Sequence, residues 1–326
     1  MHDNRSEMRV RAHIVLLVLI LLMVTVFTLR ASAASTHAFG GLMPWFHRPD
    51  GDVVPALSPL RRIMPYLMRG RNESAVYYEQ SLDLSYTLSF IREWNRAHAV
   101  PLTVFDLIVA GCGRVLHARP GLNRFVSGGR IYQRRGVDVS FAAKQSFADD
   151  APLVTVKLPV AQGESLVDTH EHIHTQLAAA RSGAERGVDH EVRWLTWLPG
   201  PVLRAAVTLA DTLDAANLLP FALSQNDPMY ASVFLANLGS IGLDGAFHHL
   251  YEHGTASLFG VVGTVKKVAT LNADGTTRVH DGVSIRWTFD ERIHDGFYCA
   301  ATLEMLRRWV EKPSALGIDE SVGHAA

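Results

Sequence analysis

Trp287-Thr-Phe-Asp-Glu-Arg-Ile-His-Asp-Gly-Phe-Tyr298 closes one element of this chain and opens the next. Val283, Ile285, Trp287 and Phe289 alternate with Ser284, Arg286 and Thr288, the period of two that marks a half-buried strand. Beyond Asp295-Gly296, Cys299, Leu303, Leu306 and Val310 recur at helical spacing, and Lys312-Pro313 ends the run. The stretch predicts a strand, a tight polar turn and a helix. Asp295 stands where an N-cap belongs, so its carboxylate is expected to accept backbone N–H bonds from the first helical turn and to hold the turn in place.

Outward from this stretch, the patterning divides the chain into short alternating elements. Leu60, Ile63, Met64 and Leu67 share one helical face, and Ala75 to Asp83 alternates as a strand. Ser85 to Ala97 reads as a helix broken by Val100-Pro101. A second helix opens on Thr103, with Asp106 three residues on as a near capping box, and ends before Pro120. Gly128-Gly129 predicts a hairpin turn, with strands at 130–134 and 137–143. A strand follows at 152–160, and Leu166 to Arg181 reads as a helix. Trp194 to Pro201 and Val202 to Leu213 suggest an apolar helical hairpin, in which Arg204, Asp211 and Asp214 argue against a membrane span. Strands are expected around 229–242 and 255–264, with a hairpin through Asn272-Ala-Asp-Gly275.

Several of these segments carry motifs that resemble one family. Asp290-Glu-Arg-Ile-His-Asp-Gly296 is similar to the D-H-R-x-x-D-G segment of the dihydrolipoyl acyltransferases of 2-oxoacid dehydrogenase complexes, which share a fold with chloramphenicol acetyltransferase. Phe234-Leu-Ala-Asn-Leu-Gly-Ser-Ile-Gly242 resembles that family's T-x-S-N-L-G-x-x-G, with Asn237, Leu238, Gly239 and Gly242 matching. Leu57 to Met68 resembles its opening helix, and Pro120-Gly-Leu-Asn123 its P-x-L-N. The two main motifs keep their order, and the resemblance spans about residues 57–313. It implies an α/β fold, a chloramphenicol-acetyltransferase-like two-layer sandwich with a mixed sheet covered by helices. It also implies a homotrimer with active sites between subunits.

The resemblance implies acyl transfer, with coenzyme A or acyl-coenzyme A as cosubstrate and no tightly bound cofactor. That reaction needs a base for the acceptor's proton and donors for the charge developing on the carbonyl oxygen. Carried over residue by residue, the family's histidine base falls on Glu291 and its oxyanion hydroxyl on Ala236, beside Asn237. Arg292 and Asp295 are retained. The family's aspartate, here Asp295, pairs with an arginine and fixes the turn. Ser240, His294, His248 and His249 are the nearby residues that would compensate for the two replacements. The implied function is coenzyme A-dependent acyl transfer with altered or weakened catalysis. The alternative is a catalytically silent homologue acting as a ligand-binding or scaffold trimer.

Composition narrows the classes. A hydrophobic share of 48% against 19% charged residues excludes a disordered chain, and a net charge of -1 gives no electrostatic basis for nucleic-acid binding. Cys112 and Cys299 lack metal or redox spacing and read as small core residues. Ile14 to Leu29 has no charged residue and follows Arg5, Arg9 and Arg11. At ~1.5 Å per residue it covers roughly 24 Å of a ~30 Å hydrocarbon core. Residues 1–34 therefore read as a signal anchor or a cleavable signal peptide ending near Ala31-Ser-Ala33, 35–56 as a linker, and 314–326 as a tail. The expectation is a membrane-associated protein with 57–313 as its catalytic domain and 183–229 as an apolar helical insertion. This layout leaves no place for a lipoyl domain, so a working core of a dehydrogenase complex is not expected.

One motif belongs to another class. His170-Glu-His-Ile-His174 satisfies H-E-x-x-H, in which His170 and His174 share a helical face and Glu171 activates a zinc-bound water. Glu185, His190 or Glu191 would supply a third ligand. A zinc metalloprotease is thus a minor alternative. The plainer expectation is no metal, with these residues on the solvent face of the 166–181 helix.

Overall fold

Nine to sixteen residues suffice for each long element that the patterning marks, and most of them form where it places them. The computed structural model describes residues 48–144, 153–181 and 199–316. In chain order these form β1 (Gly51–Val53), α1 (Pro59–Leu67), β2 (Ala75–Asp83), α2 (Ser85–Ala97), α3 (Val104–Ala118), β3 (Arg124–Ser127), β4 (Arg130–Arg134), β5 (Asp138–Lys144), β6 (Leu153–Pro159), α4 (Leu166–Arg181), α5 (Gly200–Ala215), α6 (Phe221–Ser224), β7 (Val233–Asn237), β8 (Leu258–Val262), β9 (Lys266–Leu271), β10 (Thr277–Asp290) and α7 (Gly296–Glu311). The chain divides into two units, residues 50–185 with 226–326 and residues 1–49 with 186–225.

In the larger unit, β2-β10-β8-β7-β5-β6 form one sheet, and β9 pairs with the first half of β10. β8, β7 and β5 run parallel, while β10 is antiparallel to β2 and β8, and β6 to β5, so the sheet is mixed. A second, three-stranded antiparallel sheet has the order β1-β4-β3. It takes in Gly51–Val53, part of the stretch read as linker, because this segment pairs with Tyr132, Gln133 and Arg134.

The alternation in β10 sorts its side chains between two layers. Val283, Ile285, Trp287 and Phe289 enter the main core with Leu303, Leu306 and Val310 of α7 and Ile108, Val109 and Cys112 of α3. The opposite face of the sheet holds a smaller cluster of Phe234, Leu250, Phe259 and Val261, part of it supplied by the chain between β7 and β8. Trp287 is fully buried and donates its indole N–H to Gln80 Oε1 at 2.9 Å, and Gln80 Nε2 donates to the Leu303 carbonyl at 2.7 Å. This chain of bonds ties sheet to helix while satisfying every polar atom it buries. Gly260 faces the indole: a Cβ there would lie 2.5 Å from Trp287 Cζ3. Cys112 and Cys299 are free and buried, and burial pushes both thiols up, Cys299 to about 12.

The smaller unit is described at residues 48–49 and 199–225. There Arg48 donates to the Asp214 carboxylate at 2.8 Å and to Asn217 Oδ1 at 3.3 Å. Helix α5 is the second arm of the expected hairpin, and the first arm lies outside the described residues.

The expected membrane association is corrected. Among the described residues no helix is long and apolar enough to cross a membrane. The longest helices have 16 residues, about 24 Å, and each carries charged side chains. Residues 14–34, on which the expectation of a membrane helix rested, lie outside the described residues.

Candidate functional site

The turn between β10 and α7 is built from a buried ion pair. Asp290 is wholly buried and its backbone N–H donates to the Ser257 carbonyl at 2.9 Å, the last step of the ladder before the strand ends. Arg292 grips its carboxylate through Nε at 2.8 Å and Nη2 at 2.7 Å, and its backbone N–H adds a third bond at 3.0 Å. The remaining Nη1 donates to the carbonyls of Met68 and Arg69 at 3.1 and 3.3 Å, beyond the end of α1. A bidentate pair with its spare donor satisfied offsets the cost of taking both charges out of water. Arg61 of α1 donates to the Glu291 and Arg292 carbonyls, and the Glu291 N–H donates to the Ser74 carbonyl at 3.0 Å.

The family resemblance implied that Asp295 pairs with an arginine; among the described residues it does not. The arginine of the turn takes Asp290, which lies two residues before it and is buried with it, while Asp295 is more than half exposed. Asp295 instead caps α7, accepting the Tyr298 N–H at 2.8 Å, and that bond is the principal favourable cause holding its carboxyl below the usual range. The capping role read from the sequence is present.

Glu291 is half-buried, and among the described residues its carboxylate has no hydrogen-bond or ion-pair partner. His294 is held differently. Its ring stacks on Tyr298 at 3.7 Å between centroids, with the Arg119 guanidinium 4.0 Å from the same tyrosine ring. Nδ1 accepts the Asp295 N–H at 3.0 Å. Burial lowers the His294 pKa, and the charges of Arg124 and Arg61 act in the same direction against the attraction of Asp295. Nδ1 is thus occupied by the backbone N–H of Asp295, whose carboxylate oxygen also lies 3.1 Å from it.

The second motif ends β7. Ala236 is half-buried, lies opposite Ala142 of β5 and Val261 of β8, and offers no hydroxyl. Asn237 Oδ1 accepts the Ser240 N–H at 3.1 Å, and Ser240 Oγ donates to the Asn237 carbonyl at 2.8 Å. The hydroxyl nearest to Ala236 in the motif is thus engaged with its own loop. His248 lies flat on Phe259 at 4.1 Å and His249 stacks on His248 at 4.7 Å. Neither histidine approaches the 290–296 turn by any contact among the described residues.

Strand registers place the two motifs at opposite ends of the sheet. Phe289 lies opposite Leu258, at the start of β8, while Ala236 lies opposite Val261, near its end. Glu291 continues away from Ala236, so the two are about five residue steps apart along the strands. With two interstrand spacings, this is roughly 15–20 Å at ~3.3 Å per step and ~4.8 Å per spacing. One copy of the chain therefore does not bring Glu291 to Ala236.

The H-E-x-x-H residues fall on α4 as expected, but not on its solvent face. His170 is 4% exposed, because Thr169, His170 and Ile173 form the face of α4 that packs inward, while Glu171 and His172 are exposed. The residue that meets them is one the motif does not include. Asp106, at the start of α3, lies with His170 and His174 in a group whose potential ligand atoms are all within 4.8 Å. Glu185, His190 and Glu191 lie outside the described residues.

No family model matches this chain, and no curated protein matches it. Solved structures do. The chain is similar to a probable dihydrolipoamide acetyltransferase from Listeria monocytogenes, with a TM-score of 0.53 and 16% identity over 80% of this chain and 95% of that one. It is similar to the cubic core of a pyruvate dehydrogenase multienzyme complex, with a TM-score of 0.52 and 15% identity over 81% and 94%. A truncated catalytic core of a 2-oxoacid dehydrogenase multienzyme complex from Thermoplasma acidophilum gives 0.50 and 15% over 80% and 98%. With a mixed sheet, helices packed against it and the polar turn between its longest strand and α7, this chain has the fold of the dihydrolipoamide acetyltransferase catalytic cores.

Proposed function

We propose that this protein binds acyl-coenzyme A and transfers the acyl group with weakened catalysis, at a site completed by a second copy of the chain. The observation that carries the proposal is the separation of its two motifs. An intact 290–296 turn and the end of β7 stand at opposite ends of one sheet, so only a neighbouring copy would bring them together. A homotrimer closes such a heterologous contact into a ring. The exposed apolar residues of α1, Leu60, Ile63 and Leu67, give a second copy something to cover.

In this reading Glu291 takes the acceptor's proton. Its carboxylate is free of partners among the described residues, as a base must be before substrate arrives. Asp290, Arg292 and Asp295 position it without touching the reaction. Ala236 supplies no donor, so charge on the thioester oxygen would meet only the Asn237–Gly242 loop, and a missing oxyanion donor costs about 10²–10³ in rate.

The test is acyl-coenzyme A turnover by the full chain against Glu291→Gln. A rate above background that falls about 10²–10⁴-fold in the variant supports the enzyme. Equal rates at background favour the second reading, a silent homologue that binds an acyl ligand or serves as a scaffold. Ser240 speaks for that second reading, because its hydroxyl is engaged with the Asn237 carbonyl.

A further inference from the structure

We infer that Asp106, His170 and His174 form a binding site for a single divalent transition metal, best fitted by zinc, that clamps α3 to α4. Oδ2 of Asp106 lies 3.4 Å from His170 Nδ1 and 3.5 Å from His174 Nε2. Those separations are too long for hydrogen bonds of ordinary strength. They match the edge of a coordination tetrahedron, about 3.3–3.5 Å when each ligand atom is ~2.0–2.1 Å from zinc.

The burial of the ligands is a second, independent observation. His170 is 96% buried, yet neither of its ring nitrogens has a hydrogen-bond partner, and His174 Nε2 is buried without one. Buried polar atoms are almost always satisfied, and two open ones, His170 Nδ1 and His174 Nε2, facing one carboxylate need an explanation. A cation between them supplies it. Two imidazoles and one carboxylate favour zinc and its neighbours over magnesium or calcium, which take oxygen.

The surroundings are those of a built site. Asp106 Oδ2 accepts the Thr103 N–H at 2.8 Å, so the α3 capping box also aims the carboxylate. Trp94 stands edge-on to His170 at 6.2 Å, and Leu102, Leu107 and Leu166 fill the adjacent core. The His174 side chain is 35% exposed although its Nε2 is buried, and three protein ligands would leave a fourth position for water. Glu171, the residue a zinc protease would use, is exposed and is not among the three.

Zinc titration of the purified full chain, stripped with a chelator and followed by calorimetry, tests this site independently of any acyl-transfer activity. Cobalt is the spectroscopic probe, since its visible bands report tetrahedral coordination. The wild-type protein should bind a single equivalent and melt at a higher temperature with zinc than without. Asp106→Asn and the half-exposed His174→Gln should each weaken binding by more than the ~10–100-fold typical of an outer-shell change. His172→Gln should match the wild type. Substoichiometric zinc in the wild type, or wild-type affinity in His174→Gln with its fold intact by circular dichroism, overturns the site.

Discussion

Asp290 and Arg292 are two residues apart and make three hydrogen bonds with each other, all out of reach of water. Arg292→Ala would leave a buried carboxylate without its counter-charge, and the expected loss is about 3–5 kcal/mol in urea unfolding. Asp295 is a smaller effect of a different kind. Asp295→Ala should cost about 1 kcal/mol as a lost cap. Because its folded pKa lies below the unfolded value, that contribution is present above the unfolded pKa and disappears as pH falls through the folded one. Melting temperatures of wild type and variant should therefore differ at neutral pH and converge in acid. The cap was legible in the sequence, since an aspartate before Gly296 and a helical run has one main use there. The choice of Asp290 as arginine partner was not, because both aspartates flank Arg292 and only the burial of Asp290 separates them.

Strands and helices followed their periodicity closely: β2, α2 and α4 begin and end at the residues the pattern marks. Register was not legible. Nothing in the sequence of β7 or β10 says that β8 runs parallel to one and antiparallel to the other, and this pairing separates Ala236 from Glu291. The inward face of α4 was misread for a related reason. His170 looks like a surface residue among polar neighbours, and only the packing of α4 against α3, which sets Asp106 3.4 Å from its Nδ1, shows it to be buried. Element packing makes its own prediction at Gly260, where a Cβ would meet the indole of Trp287 at 2.5 Å and Leu235 Cδ2 at 2.8 Å. Gly260→Ala should destabilise by about 1–3 kcal/mol through overpacking, read as a lower urea midpoint with an unchanged slope.

At the scale of the molecule, one sheet carries the two motifs of the proposed site, and a single copy keeps them apart. Sedimentation of the full chain should show a trimer, and a monomer at all concentrations would remove the geometry on which the proposed site rests. Such a site would retain its architecture and lack its two strongest catalytic groups. In the proposed trimer those groups would fall on opposite sides of a subunit boundary, so their restoration tests assembly and chemistry together. The measurement is acyl transfer from acyl-coenzyme A by the wild type, by Glu291→His, by Ala236→Ser and by the double variant. The account predicts a gain of at least about 100-fold in the double variant, exceeding either single change. A double variant no faster than the wild type, folded and trimeric, would contradict it.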